Sequence, residues 1–470
     1  MKILLINPPS EFKTPVLPLG LASIASYLKN KNGNLDIMVI DAWAEELTYK
    51  EIENRAFQTQ ADIVGIYMVS PRYEKTKSAI EACRKALPES VIIAGGPHPS
   101  AVPSETLNDI PQLDICAIGE GEITMDELVN ALQNKSDLSG ISGLAYRDQN
   151  GKTVFTKPRD FIENLDILPF PARELFPLEK YKTHPPYGKK NPYFTMVTSR
   201  GCPFHCAYCS KDVFKNRYRS RSPKNVCDEI EELISKYGAQ EIQFYDDDFT
   251  MDMKRAEEIC DEISKRNLKF RWSCLTRVNL VDENLLKKMK KAGCWLVSYG
   301  VESGSQKILD SINKGFTINQ VISTFELTRR IGLATICYFI IGLPGETKET
   351  IRETVDLIKK IRPNFISGGM LTIFPGSRLF NSIRNGEYLG KLRTLKEGEN
   401  LTGVFAGKGN YMIIENNFTL SELKTIVRNI IRGFYLRPQY ILQSMANIRS
   451  FSDLNYYLNA GLELIKSIRG

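Results

Sequence analysis

Between residues 198 and 210 the chain reads T-S-R-G-C-P-F-H-C-A-Y-C-S, which sets Cys202, Cys206 and Cys209 at C-x3-C-x2-C spacing. The chain has ten cysteines, and only these three form a tight group. A tight trio among scattered single cysteines reads as a metal site, not as a disulfide framework. Three thiolates on one short loop can hold three corners of a [4Fe–4S] cube and leave the fourth iron open. An open iron can be chelated by the amino and carboxylate groups of S-adenosylmethionine (SAM). One-electron reduction of the sulfonium then releases a 5′-deoxyadenosyl radical, chemistry that belongs to the cofactor and that the protein orients and shields. A zinc site completed by His205 is the alternative. Zinc sites more often pair two C-x2-C elements, and there is no second one here.

The elements that must carry this loop come in two series. Residues 2–7 (KILLIN), 36–41 (DIMVID), 62–68 (DIVGIYM), 90–94 (SVIIA) and 114–118 (DICAI) read as buried parallel strands. Residues 19–31, 51–59, 74–86 and 125–132 read as helices. This alternation predicts an α/β, Rossmann-like, doubly wound parallel sheet over residues 1–138, with ligands beyond the carboxyl ends of its strands. Those ends carry Asn7-Pro8-Pro9, Ser70-Pro71, Gly95-Gly96-Pro97-His98 and Gly119-Glu120-Gly121-Glu122. Residues 139–192 form a connector with a hairpin near Asp148–Gly151 and a proline-rich stretch. A second βα series over 193–385, with strands at 241–245, 269–275, 295–300, 335–341 and 369–373, predicts a partial (β/α) barrel. Residues 386–470 predict a small helical C-terminal cap, with helices at 420–432 and 438–448 and a last one ending near 468.

At this point the pieces resemble the radical SAM superfamily. The trio with Tyr208 before its last cysteine, Gln243 to Phe249 (QFYDDDF), Thr276-Arg277, Gly300-Val301-Glu302-Ser303-Gly304 and Ile341-Gly342-Leu343-Pro344-Gly345-Glu346 follow one another in that family's order. The resemblance covers residues 194–380. It implies that Tyr208, Asp246, Arg277, Glu302 and Ile341 surround SAM, with Glu302 on its ribose or methionine part and Ile341 beside the adenine. Carboxylates at strand ends also suit ribose hydroxyls or an ammonium on chemical grounds. For Asp248 a helix cap is the expectation.

Residues 1–140, with N-P-P, G-G-x-H-P and G-E-G-E, look like the cobalamin-binding domain found upstream of such cores. The resemblance implies Ser70, Gly95, Gly96, His98, Gly119 and Gly121 as cobalamin-binding residues. The signature D-x-H-x-x-G, whose histidine ligates cobalt, is absent: Asp41-Ala42-Trp43 stands near its usual place. The expectation is cobalamin without a protein histidine ligand, its lower face covered by Met68-Val69-Ser70-Pro71 and His98 near the nucleotide tail. No nicotinamide fingerprint follows the first strand.

What the resemblance implies is a cobalamin-dependent radical SAM methyltransferase acting on an unactivated carbon through methylcobalamin and a 5′-deoxyadenosyl radical. The alternatives are a non-methylating ring formation or oxidation, and a non-catalytic corrinoid-binding iron–sulfur protein. No catalytic acid or base is assigned. Tyr299 and Cys337 are named only as conceivable hydrogen donors. The net charge of +7 is mild, fits anionic small ligands as well as nucleic acid and decides nothing alone; a nucleic-acid partner is not expected, since 211–224 (KDVFKNRYRSRSPK) is the sole support for one. A flavodoxin- or ferredoxin-type electron donor and a cytoplasmic location are expected, with no transmembrane segment. Residues 420–470 hold seven Lys or Arg against three acids, on helices with one apolar face. They fit a solvated cap, or an entry beside it for a hydrophobic or anionic substrate such as a lipid or tetrapyrrole.

Overall fold

The computed structural model describes residues 1–11, 14–182, 187–388, 392–393, 413–414, 417–438 and 440–442. The chain forms two parallel sheets whose strand ends face one another. The first contains β1 (Lys2–Asn7), β2 (Asp36–Asp41), β3 (Ile63–Tyr67), β4 (Val91–Gly95) and β5 (Ile115–Ala117), all parallel, in the order β2-β1-β3-β4-β5. Their apolar runs are buried because helices cover both faces. Helices α1 (Leu19–Lys31) and α6 (Gly121–Gln133) lie on one side, and α2 (Tyr49–Thr59) and α3 (Tyr73–Ala86) on the other. Strand order reverses between β1 and β3, the switch point where such sheets bind ligands.

Two short helices escaped the sequence reading, α4 (Pro97–Ala101) and α5 (Pro103–Asp109), each opened by a proline at its first position. Helix α6 starts four residues earlier than periodicity suggested, inside the G-E-G-E segment. The hairpin expected in the connector is real, as β6 (Leu144–Arg147) and β7 (Thr153–Phe155), but it extends the first sheet as an antiparallel edge. The first body therefore runs past residue 138.

The second sheet holds β8 (Tyr193–Met196), β11 (Glu241–Phe244), β12 (Arg271–Thr276), β13 (Cys294–Glu302), β14 (Ala334–Ile341) and β15 (Phe365–Met370), all parallel and in sequential order. The last begins four residues before its expected start. A two-residue ladder, β9 (Ser199–Arg200) with β10 (Arg219–Ser220), brackets the cysteine loop. Helices α7 (Pro223–Tyr237), α8 (Met253–Lys265), α9 (Glu283–Lys291), α10 (Gln306–Ser311), α11 (Ile318–Ile331), α12 (Lys348–Ile361) and α13 (Arg378–Arg384) follow the strands in turn. Six strands leave the barrel open beyond β15. Helix α14 (Leu420–Tyr435) covers that edge: the Tyr435 hydroxyl accepts from Ile366 N–H at 3.1 Å and donates to Ile366 C=O at 2.8 Å, which satisfies edge groups that would otherwise be free to pair. Of the expected cap, the second helix is described only in part, and the last lies outside the described residues. No helix among the described residues is long and apolar enough to cross a membrane.

The connector locks the two bodies together. Ala172 N–H bonds Ala22 C=O in α1, and Tyr181 donates to Asp41 at the end of β2 at 2.5 Å. Arg173 reaches Glu229 of α7 at 2.6 Å, both side chains 1% exposed, and Arg221 pairs with the same carboxylate. Burial opposes charge on Glu229, yet the two guanidinium groups hold its carboxyl below the usual range. Glu229→Ala strands two cations and is expected to cost about 3–5 kcal/mol, read from urea unfolding followed by circular dichroism. A loss under about 1 kcal/mol would show that these pairs are no stronger than surface ones.

Candidate active site

The cysteine loop leaves β9 at Gly201, whose backbone is left-handed (φ +83°) and packs against the Arg217 carbonyl. A Cβ there would collide with backbone, so glycine is required. Gly201 N–H donates to Asp247 at 3.1 Å, Lys211 Nζ caps the Cys202 carbonyl at 2.7 Å, and Asn313 Nδ2 holds the His205 carbonyl at 3.2 Å. Cys206 is buried, while Cys202 and Cys209 are partly exposed. The Cys209 thiol hydrogen-bonds Cys206, and the charges of Lys314 and Arg277 lie beside it. The hydrogen bond and these cations pull Cys206 well below an ordinary thiol, while the same hydrogen bond and burial push Cys209 up. The Arg277 guanidinium stands 3.7 Å from Cys206 Sγ and 3.7 Å from the Phe204 ring centroid, and it also donates to the Lys314 carbonyl. Positive charge beside Cys206 suits an electron-rich cluster, while burial raises the Cys202 thiol. His205 is exposed to solvent.

Tyr208, Arg277 and Glu302 come together around Lys314, a residue that sequence reading missed. Lys314 is 5% exposed, pairs with Glu302 at 2.8 Å and reaches the Tyr208 hydroxyl at 3.2 Å. Glu302 sits at φ +70° beside an irregularity in the β13–β14 register, a strained backbone of the kind concentrated at functional sites. A Cβ on Gly300 would stand 2.6 Å from Glu302 Oε1, so the glycine keeps that carboxylate's space open. Nothing local marks Lys314, one lysine among 62 basic residues.

Other expected residues stand differently. Asp246 turns inward: one carboxylate oxygen accepts from Thr198 N–H at 2.9 Å, Thr198 Oγ1 at 2.9 Å and Ser199 Oγ at 2.5 Å. It shapes the approach to the cysteine loop and does not face the Lys314 cluster. Asp248 is no helix cap; it accepts from Thr276 Oγ1 at 2.8 Å, and Asp252 caps α8. The Ile341 side chain is fully buried in the helical layer, leaving only its strand-end backbone near the site. Tyr299 and Cys337 also point outward into that layer, because they sit in the opposite phase of the strand alternation from Ser298, Gly300 and Tyr338. Tyr299 bonds Thr328 of α11, away from the site.

In the first sheet a cavity of about 320 Å³ opens at the switch point, and Gly95, Gly96, Gly119 and Gly121 line it as expected. So do Gly65 and Tyr67 of β3, which the sequence reading passed over, although a glycine inside a strand marks close approach. Ser70 and His98 do not line it. They are buried behind the Gly96 turn and bonded to each other at 2.9 Å, with the His98 ring 4.7 Å from Tyr73. Burial pulls His98 down to about 4. Met68, expected to cover the cofactor, is fully buried, and Tyr67 takes the cavity-facing place. Asp41, near the place of the missing histidine, is occupied by Asn7, the Ala44 N–H and Tyr181.

The cavity is closed from the other body by Arg200, Val213 and Phe214, and it shares Gly20, Val197, Arg200 and Phe214 with an adjoining space of about 180 Å³ beside the proline-rich connector. A glycine floor, an apolar wall and a second chamber reaching toward the cysteine loop fit a large corrinoid, part of which enters the sheet.

Over residues 196–358 the chain matches the Radical SAM superfamily, and over 10–129 the B12 binding domain. It is 34% identical over 459 residues to the uncharacterized methyltransferase PH0819 of Pyrococcus horikoshii, covering 96% of each chain. To the anaerobic magnesium-protoporphyrin IX monomethyl ester cyclase of Rubrivivax gelatinosus it is 33% identical over 395 residues, 82% of this chain and 70% of that one. Among solved structures, TsrM of Kitasatospora setae with cobalamin and a [4Fe-4S] cluster bound superposes with a TM-score of 0.74 at 18% identity, covering 93% of this chain and 89% of that one. OxsB, with aqua-cobalamin and SAM bound, gives 0.76 at 18% identity, covering 99% and 71%. The chain belongs to the cobalamin-dependent radical SAM family. Its cofactors are a [4Fe–4S] cluster, SAM and cobalamin.

Two outcomes test this geometry. Gly65→Val places atoms against Leu5 Cδ2, which stands 2.9 Å from even a Cβ, and narrows the cavity floor. Hydroxocobalamin retained after desalting is expected to fall at least tenfold while iron content holds; unchanged retention would mean that the corrinoid does not enter the sheet. For His98, the folded value lies below the unfolded one, so its contribution is complete above about 6.5 and is lost as pH falls toward about 4. The loss is at most about 3 kcal/mol. The urea midpoint of His98→Gln should vary less than that of the native chain across this window.

Proposed function

We propose that this protein methylates an unactivated carbon. The observation that supports the reading is a shared wall: Arg200 and Phe214, on either side of the cysteine loop in sequence, line both the glycine-floored cavity and the chamber beside it. A relative named as a methyltransferase along nearly its whole length agrees. When bound, the cluster and SAM supply one-electron cleavage to a carbon radical, and the corrinoid supplies a transferable methyl group.

The chain's own residues bind and orient. Lys314 and Glu302, already paired, offer a cation to the SAM carboxylate and an anion to its ammonium or ribose. Arg277 keeps positive charge against Cys206, and Tyr208 packs beside both. The Ile341 backbone borders the adenine, and Asp246 fixes the start of the cysteine loop. The apolar connector residues Leu168, Pro169 and Phe170 keep water from the chamber beside Tyr245 and Asp247. A flavodoxin- or ferredoxin-type donor in the cytoplasm supplies electrons, and a small hydrophobic or anionic substrate, a lipid or tetrapyrrole among the candidates, enters near α14. The second reading, ring formation without methyl transfer, is favoured by the cyclase among the relatives.

Anaerobically reconstituted protein supplied with hydroxocobalamin, SAM and a strong reductant is expected to form 5′-deoxyadenosine and S-adenosylhomocysteine. Deoxyadenosine alone, with corrinoid retained, favours the cyclase-like reading; neither product, with cluster and SAM bound, counts against both. Cys206→Ala should abolish deoxyadenosine. Lys314→Met should weaken SAM binding at least tenfold, about 1.4 kcal/mol, without loss of iron.

A further inference from the structure

The G-E-G-E segment does more than supply two glycines to a cavity. Glu120 and Glu122 flank Gly121, and both turn toward the other body. Arg200, two residues before Cys202, reaches Glu120 at 2.6 Å and Glu122 at 2.5 Å, with the two carboxylates 2% and 4% exposed. Glu120 is fixed from its other side by Arg219 at 2.8 Å and by the Ile162 N–H at 2.9 Å, and Glu122 by Ser23 of α1 at 2.7 Å. Phe214 lies 5.8 Å from the Arg200 guanidinium and 5.9 Å from that of Arg219, with its ring on the cavity wall.

We propose that Arg200 is a positioning residue that couples corrinoid binding to the iron–sulfur loop. A molecule filling the cavity presses on Gly121 at the start of α6 and on Phe214. Both contacts bear on the carboxylates and guanidinium groups that set where Arg200 stands. The next residue, Gly201, is pinned by its left-handed backbone and by Asp247, so a shift of Arg200 is delivered to Cys202 with no flexible spacer between. Coupling of this kind is reciprocal: whatever the corrinoid does for the loop, an assembled cluster does for corrinoid affinity. Arg200 also lines the cavity wall, and methyl transfer is not a premise.

The test uses the full chain and hydroxocobalamin as probe, titrated by its visible spectrum into cluster-free and cluster-loaded protein. In the native chain the corrinoid should bind at least about fivefold more tightly when the cluster is present. In Arg200→Gln the ratio should fall to one, and the electron paramagnetic resonance signal of the reduced cluster should no longer shift on corrinoid addition. A merely structural role would weaken both affinities and keep their ratio. Arg200→Lys, which keeps the charge and loses the two-pronged contact, provides a gentler variant and should give an intermediate ratio. A native ratio of one, or a full ratio in either variant, overturns the proposal.

Discussion

Two guanidinium groups and two carboxylates, removed from water at the junction of the sheets, are the constraint to which the rest of the site answers. Charges in such a place are costly unless each is paired; here each is, although Nε and Nη2 of Arg219 have no hydrogen-bond partner. Arg200, Arg219, Glu120 and Glu122 balance in number, and the Ile162 amide and Ser23 hydroxyl take further lone pairs. Breaking Arg200–Glu122 or Arg219–Glu120 leaves a buried charge unpaired, which favours one register of the two bodies. That register puts the carboxyl ends of both parallel sheets opposite each other. The glycine-floored cavity and the cysteine loop thereby become neighbours, although they belong to separate layers of secondary structure.

Within the barrel, charge is arranged for ligands more than for stability. Lys314 and Arg277 bring positive charge close to Cys206, and Glu302 and Asp248 offset part of it. Glu302 stands on a left-handed backbone, a conformation costing about 1–3 kcal/mol, which the surrounding strand and the Lys314 contact sustain. The opposite behaviour is found one loop away. There one oxygen of Glu346 accepts from the Gly342 and Leu343 amides at 2.6 and 3.2 Å, yet burial lifts its carboxyl to about 7.

Much of this was legible because the signals were local. KILLIN and DIMVID can only be buried strands, and C-x3-C-x2-C announces its chemistry within eight residues. G-G-P-H-P and G-E-G-E mark strand ends where backbone must come close to something. Facing and long-range pairing were not legible. His98 looked available because histidine is polar; the fold spends it on Ser70 and Tyr73 behind the turn. Asp246 read as a ligand because it lies just past a strand; Thr198 and Ser199, on the neighbouring strand's continuation, take one of its carboxylate oxygens and leave the other without a partner. Tyr299 and Tyr338 are alike in composition, and only strand phase separates outward from inward. Lys314 and Arg200 acquire meaning from partners 12 and 80 residues away, which no window along the chain brings together.

The wall made by Val213 and Phe214 also says something about the order in which the molecule comes into being. Domains fold largely as they leave the ribosome, the amino-terminal one first. The first sheet, with its hairpin edge, is synthesised before the segment that closes its cavity. For that interval the newborn sheet presents an open glycine-floored trough to the cell. The lid arrives later, carrying the three thiols on its own near side. One stretch of about twenty residues thus finishes the older compartment and founds the newer one.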